Sequence, residues 1–386
     1  MSSRYLSPEQ LRQLLALRHT LHAHPELPDL EAQTAATIAQ FCRNAAPNAQ
    51  IFEKIGGHGV LVRFEGAQSG HHIMLRCELD ALPITETSQR PYASQNPHTA
   101  HSCGHDGHIA ILCGAALYLS AHPPQRGSVT LLFQPAEETG AGACRMASEL
   151  CTMGFSFDYA FALHNLPGAP LGEVIWYPEV YAAASHGLEV EYIGKTAHAS
   201  EPHNAVTPTF AVIETISSWM ELLKTPGLFN DFVLITIIHV EIGEEAYGTT
   251  PGHGFLRATF RGHRQDDLDK LHRMAISQME RIAAEHGIKT SWRLLDVFPA
   301  TENHSEANKV IHSVACEQRL TLRQASAPLA GSDDFAFFTA NTKASFFDLG
   351  AGVDQATLHD SGYDFPDALI PIGVDMWIGI LLHFWR

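Results

Sequence analysis

The chain has 386 residues, a formal net charge of −17 and 45% hydrophobic residues. That length exceeds what one hydrophobic core ordinarily serves, so two domains are expected. The acidic balance argues against nucleic acid or an anionic membrane as the main partner, and no apolar run is long enough to span a bilayer.

Ser7-Pro8-Glu9-Gln10 reads as a helix start, with Ser7 as N-cap, Pro8 at the first helical position and Gln10 closing a capping box. Leucines at helical spacing follow as far as His24-Pro25, and a second helix is expected over residues 30–45. Four apolar runs with strand character come next, at residues 59–64, 72–84, 128–138 and 158–167. Between the second and third, residues 107–122 read as a buried helix, and a further helix is expected after Glu138. Strands alternating with helices imply an α/β fold, with a mostly parallel, mixed sheet covered by helices on both faces.

From residue 185 the pattern changes. GLEVEYIGK alternates like a strand, a helix is expected over 208–223, two strands follow in FVLITIIHVEIG and GFLRATFRGHR, and a helix over 266–286. That βαββαβ-like order predicts a smaller two-layer α/β domain, inserted at 185–295, with residues 1–184 and 296–386 forming the larger one. The N-terminal stretch lacks the apolar core of a signal peptide. Seven cysteines without a regular spacing suit a reducing cytoplasm.

In sheets of this kind sites gather at the carboxyl ends of strands. Three of the apolar runs lead to polar residues there: Asp80 after HIMLRCEL, Glu137 and Glu138 after VTLLFQPA, and His164 after YAFAL. The stretch HTAHSCGHDGHIA adds Cys103 and His105 on either side of a glycine. Both are good ligands for zinc or another borderline divalent ion. A helix-opening loop with a buried thiol, or a Cys/His nucleophile pair, are the other readings of those two residues. Asp106 reads as a cap or as the partner that orients an imidazole, and His108 as structural. In a Glu-Glu pair one carboxylate can bind metal while the other takes a proton from water. His359 in TLHDSGYDF is unremarkable by itself. His198 and His203 in GKTAHASEPH serve chemistry only if the smaller domain faces the site.

Eight motifs in order, from LHAHPEL through LRCELDALPI, HSCGHDGHIA, LLFQPAEETGAG, LHNLPG, GKTAHASEPH and AGSDDFAFF to LHDSGYDFPD, resemble the metal-dependent aminoacylase and carboxypeptidase family. The likeness is to its amidohydrolase branch, which includes N-acyl-amino-acid hydrolases, hippurate hydrolases, auxin-conjugate hydrolases and aminobenzoyl-glutamate hydrolases. The resemblance implies a dinuclear site for zinc or manganese, with Cys103, His105, Glu138, His164 and His359 as ligands and Glu137 as catalytic base. It implies that the inserted domain is a lid that also forms a homodimer, and that His198 reaches a partner's site to stabilise an oxyanion. Asp80 stands where a wider branch carries His-x-Asp; here Glu78 replaces the histidine, so Asp80 is expected beside the ligands. Relatives carry an asparagine near a lid proline, whereas this chain reads AYGTTPGHG, which leaves Arg257, Arg261 and Arg264 as candidates for a substrate carboxylate. GSDDF replaces the commoner GSEDF, so Asp333 is one methylene shorter. The expected activity is hydrolysis of the amide bond of an N-acyl amino acid. The alternatives are a metallo-dipeptidase or carboxypeptidase, a non-catalytic metal-binding homologue, and a thiol hydrolase using Cys103.

Overall fold

The computed structural model describes residues 2–385, which divide into two compact units. Among the described residues the first comprises 2–181, 301–327 and 333–385, and the second 182–300 and 328–332. The chain thus crosses between units after Tyr181 and after Ala300, and crosses twice more around a five-residue excursion, Pro328–Ser332. The sequence pattern gave no warning of that excursion.

The first unit is built on an eight-stranded mixed sheet. Its parallel centre is formed by Arg126–Gln134, Gln68–Glu78, Tyr159–Pro167 and Lys343–Gly352, in that spatial order. An antiparallel pair, Gln50–Ile55 and Gly59–Glu65, extends one edge, and Val174–Trp176 with Leu322–Gln324 the other. The first of these strands and the three-residue edge strands were not anticipated, because a short half-exposed strand carries little period-2 signal. The central strands are apolar on both faces, as strands covered by helices on each side must be.

The helix His105–Ala121 is buried almost all round, which accounts for its lack of amphipathic patterning. It packs against Pro8–Ala23, Ala32–Ala45 and Leu369–Trp385. A Cβ at Gly114 would stand 2.4 Å from Val374 Cγ2, so glycine lets the helix backbone come close to its neighbour. The capping box at Ser7 is present, with Gln10 N donating to Ser7 Oγ and Ser7 N to Gln10 Oε1.

The second unit has a four-stranded antiparallel sheet in the order Val233–Ile242, His253–Gly262, Ala184–Ile193, Lys289–Phe298. The helices Thr209–Lys224 and Gln265–Glu285 pack with it around Trp219, Phe260 and Leu256. Among the described residues, no helix is long and apolar enough to cross a membrane.

Candidate metal centre

Four segments of the first unit bring the site together just beyond the ends of its central strands. The strands stop earlier than the apolar runs do, at Glu78 and Gln134, so Asp80, Glu137 and Glu138 lie in the turns that follow. His164, by contrast, lies within its strand, opposite Asp348. The turn before the helix opens with Gly104 at φ +95°, where a Cβ would meet Asn165 Oδ1 at 2.2 Å. Only glycine fits such a turn, and it sets Cys103 and His105 on either side of itself. The helix starts at His105, two residues earlier than expected, and Gly104 occupies its N-cap. Asp106 is therefore not a cap.

Two histidines are held in a fixed tautomer. His105 Nδ1 donates to the Asp80 carbonyl oxygen at 2.8 Å, and His164 Nδ1 to the Asn165 carbonyl oxygen at 2.9 Å. A carbonyl only accepts, so each Nδ1 carries a proton and each Nε2 is the atom turned toward the cluster. His164 Nε2 lies 3.4 Å from Cys103 Sγ. His105 Nε2 is buried with no hydrogen-bond partner, 3.9 Å from Glu138 Oε1, which is itself buried and unpartnered. His359 Nε2 lies 3.7 Å from Glu138 Oε2. Ligand atoms of Cys103, His105 and His164 all lie within 4.8 Å of one another, as do those of Cys103, Glu138 and His359, and of His105, Glu137 and Glu138. Cys103, His105 and Glu138 recur among these groups, so the arrangement has the form of two adjoining cation sites.

Strain marks the same loops. Ala136, just before the Glu pair, has φ +49°, and His359 has φ +65°, both left-handed values that cost a non-glycine residue energy. Ala136 is held by its N–H donating to Glu31 Oε1 at 2.8 Å, and His359 by its N–H donating to the Ser102 carbonyl at 2.8 Å. Asp80 accepts from the Glu138 N–H at 2.9 Å. It stands beside the cluster.

The electrostatics favour cations. Burial pushes the Glu137 carboxyl well above its ordinary range, and the nearby charges of Asp333, Glu138 and Asp334 push it further. Burial likewise raises Glu138, to about 7. His164 is lowered to about 3, by burial and then by His108, which keeps its imidazole neutral. His105 goes the other way: burial opposes its charge, but Cys103, Asp80 and Glu78 outweigh it and hold its pKa well above the ordinary value, so crowded acid groups dominate the pocket. Its unpartnered Nε2 and Oε1 atoms, and its S, N and O donors, fit borderline divalent ions.

Sequence reading missed the group behind Glu137. Arg76 is fully buried within an apolar strand; its Nε donates to Gln134 Oε1 at 2.8 Å, and its Nη2 lies 3.1 and 3.0 Å from carboxylate oxygens of Asp333 and Asp334. It also pairs with Glu78. Burial opposes ionisation of Glu78, yet Arg76 and His108 outweigh it and hold that carboxyl well below the usual range. Glu78 in turn accepts from His108 Nδ1 at 2.8 Å, which gives His108 a structural role. The available signal was an arginine inside HIMLRCEL, since a buried charge has to be paired.

The other sequence candidates lie elsewhere. Asp106 does orient an imidazole, but it is that of His22, whose Nδ1 donates to it at 2.9 Å. His198 is on the second unit, exposed, with Nδ1 2.7 Å from Ser200 Oγ. Arg257 donates to Glu189, which also pairs with Arg293, and so belongs to a cross-strand ion ladder on the second unit's sheet. Arg261 is bonded to the Ala330 carbonyl and to Ser332 Oγ. Arg264 occupies the N-cap of Gln265–Glu285.

The sequence pattern of Peptidase family M20/M25/M40 matches residues 74–383, which include every residue of the cluster. The chain is a member of that family. It is accordingly a hydrolase of amide bonds. Among its relatives are an N-acetyl-L-cysteine deacetylase of Bacillus subtilis, 29% identical over 90% of this chain and 82% of that protein, and a hippurate hydrolase of Campylobacter jejuni, 28% identical over 96% of each. The crystal structure of a dinuclear metal-binding M20 peptidase from Bacillus subtilis superposes with a TM-score of 0.82, covering 98% of this chain and 99% of that one at 22% identity. At that identity the superposition speaks for the fold.

Proposed function

We propose that this M20/M25/M40 family member hydrolyses the amide bond of N-acyl amino acids with two divalent ions, zinc or manganese, held by Cys103, His105, Glu138, His164 and His359. The observation that carries this reading is the convergence of those five donors, two of them buried with an unpartnered atom, around Glu137. The names of the relatives support the substrate class: a hippurate hydrolase and an N-acetylcysteine deacetylase each release an acyl group from an amino acid. When bound, the ions supply Lewis acidity for the scissile carbonyl and lower the pKa of water to the neutral range. Glu137 takes one proton from the attacking water as the new C–O bond forms. It returns that proton to the nitrogen as the C–N bond breaks, so a free amine and a carboxylic acid leave, and the acid gives its remaining proton to the solvent or the amine. The carboxylates of Asp333 and Asp334 crowd Glu137 and strengthen it as a base.

His198 completes the reading as a donor to the oxyanion, supplied by the second unit of another protomer in a homodimer. Exposed apolar residues on the edge strand Val233–Ile242, Ile238 and Val240 among them, support edge pairing there. A small-molecule substrate, no nucleic-acid or membrane partner, and residence in the cytoplasm complete the proposal. Seven free cysteines suit that compartment.

The test is a panel of N-acetyl, N-benzoyl and indoleacetyl amino acids and free dipeptides, assayed after chelation and after zinc or manganese is restored. Metal-dependent release of amino acid from the acylated set is the expected result. Cleavage confined to free dipeptides would move the protein to the dipeptidase class, and turnover that survives chelation but not thiol alkylation would move it to Cys103 chemistry. For the shared site, His198→Ala and Glu137→Ala, each inactive alone, should regain part of the activity when mixed as heterodimers; no regain would place His198 outside the reaction.

A further inference from the structure

The ligands proposed above lie on segments that are distant in sequence, and two of those segments, the turn of Cys103 and His105 and the loop of His359, are fastened to one side chain. Arg18 sits in the helix Pro8–Ala23, with no exposed surface. Its Nε donates to Asp106 Oδ2 at 2.8 Å, its Nη1 to Asp367 Oδ1 at 3.0 Å, and its Nη2 to Asp364. Asp106 directly follows His105 in the first turn of its helix. Asp364 and Asp367 lie in the loop that carries His359.

We propose that Arg18 is a positioning residue for the metal centre, one guanidinium that locks the Cys103-Gly104-His105 turn to the His359 loop. The inference rests on the assignment of those residues as ligands, and adds the part that makes them one frame. Three features support it. The three carboxylates approach from different directions onto three nitrogens of a planar fork, a geometry that a lysine ammonium does not match. The salt bridges are shielded, since Arg18 and Asp106 have fully buried side chains, so their strength is little screened by solvent. The His359 loop also needs external support, because His359 itself is in a left-handed conformation with a half-exposed ring. Other ties of the loop include the His359 N–H to the Ser102 carbonyl, Asn165 Nδ2 to Tyr363 Oη at 2.7 Å, Arg90 Nε to Asp364 Oδ2 at 2.9 Å and His19 Nε2 to Asp367 Oδ2 at 2.9 Å. Arg90 holds Asp364 from the exposed side, but Arg18 is the charged group that reaches both the loop and Asp106 beside His105.

Partners that orient ligands typically change metal affinity by ~10–100-fold when removed, and Arg18 acts on them through the backbone of the turn and of the His359 loop. The experiment titrates zinc into the full-length apoprotein and records cobalt(II) ligand-field spectra, for the wild type, Arg18→Lys, Asp364→Asn and Asp367→Asn, with the melting temperature of each apoprotein. Arg18→Lys and Asp364→Asn are expected to weaken zinc binding by about 10–100-fold and to alter the cobalt spectrum. Asp367→Asn, whose side chain is 36% exposed, is expected to weaken it less and keeps the test alive if a more buried change fails to fold. Zinc affinities and cobalt spectra equal to the wild type's overturn the proposal, even if the melting temperature falls, because Arg18 would then serve folding alone. A wild type that binds no zinc at all would instead refute the ligand assignment, so the two failures are distinguishable.

Discussion

The two units solve the problem of a sheet in opposite ways. In the first, the central strands are buried on both faces, so polar chemistry is confined to the turns beyond their ends, and there it is concentrated: Asp80, Glu137 and Glu138 follow two neighbouring strands, and Cys103 and His105 open the central helix. In the second, helices cover one face and the other carries an ion ladder, with Glu189 between Arg257 and Arg293 and Glu191 between His253 and Ser291. Exposed apolar residues continue along its edge strands, such as Ile238, Val240, Leu294 and Val297. The difference teaches where to look for reaction and where for association. Buried acids whose charges cannot be dispersed call for cations, whereas a charged, half-covered antiparallel sheet satisfies its own charges in water.

The comparison breaks most sharply at Glu137. Glu137→Gln keeps the size and burial of the side chain but removes the base. Turnover should fall by ~10²–10⁴-fold while the metal content of the purified protein stays that of the wild type. Loss of metal together with activity would make Glu137 a ligand and remove it from the proton transfer. Next in size is the core under the site. Phe161→Ala, in a central strand with a fully buried ring, should cost about 3–5 kcal/mol in denaturant unfolding. A cost under 1 kcal/mol would contradict the close packing of that sheet.

Much of this division was legible in the sequence, and the reasons are specific. Apolar runs that end in acids or histidines announce the site because a doubly covered sheet leaves few other places for them, and the glycine of CGH announces its turn because a left-handed backbone excludes a side chain there. The change from continuous apolar runs to alternating ones at GLEVEYIGK marks the second unit for the same reason of coverage. What stayed hidden was pairing across long sequence separations. Arg76 with Asp333 and Asp334, and Arg18 with Asp106, Asp364 and Asp367, join residues up to 349 positions apart. No local period encodes such bonds. For that reason the sequence named Asp106 as a cap or the orienter of an imidazole without naming which imidazole: its partners, Arg18 and His22, come from the first helix. The strand ends were misjudged as well, since hydrophobic character continues through Leu79, Ala81 and Leu82 after pairing within the large sheet stops at Glu78.

A third measurement concerns pH. His22 is lifted from its ordinary value to about 9; burial works against the charge, but the Asp106 carboxylate, its hydrogen bond and the bond to Glu86 outweigh it. The folded pKa is above the unfolded one, so this contribution is present in full below pH ~6.5 and is lost as pH rises through about 9. It amounts to at most about 3 kcal/mol. Melting temperatures taken from pH 6 to pH 10 should decline across that window, and His22→Gln should flatten the decline. An equal slope in both proteins would show that His22 does not titrate there.

The smallest expected effect tests the other side of the comparison. Ile238 is 60% exposed on the edge strand Val233–Ile242. Ile238→Thr keeps the branched Cβ that a strand accommodates and removes little buried apolar surface, so the intrinsic stability of the protomer should change by no more than about 0.5 kcal/mol. If this edge also pairs two protomers, the same variant lowers the fraction of dimer in sedimentation at micromolar protein and makes the melting temperature more dependent on concentration. A large loss of stability that does not depend on concentration would mean that Ile238 packs inside the unit, and that the second sheet is covered more like the first than its exposure shows.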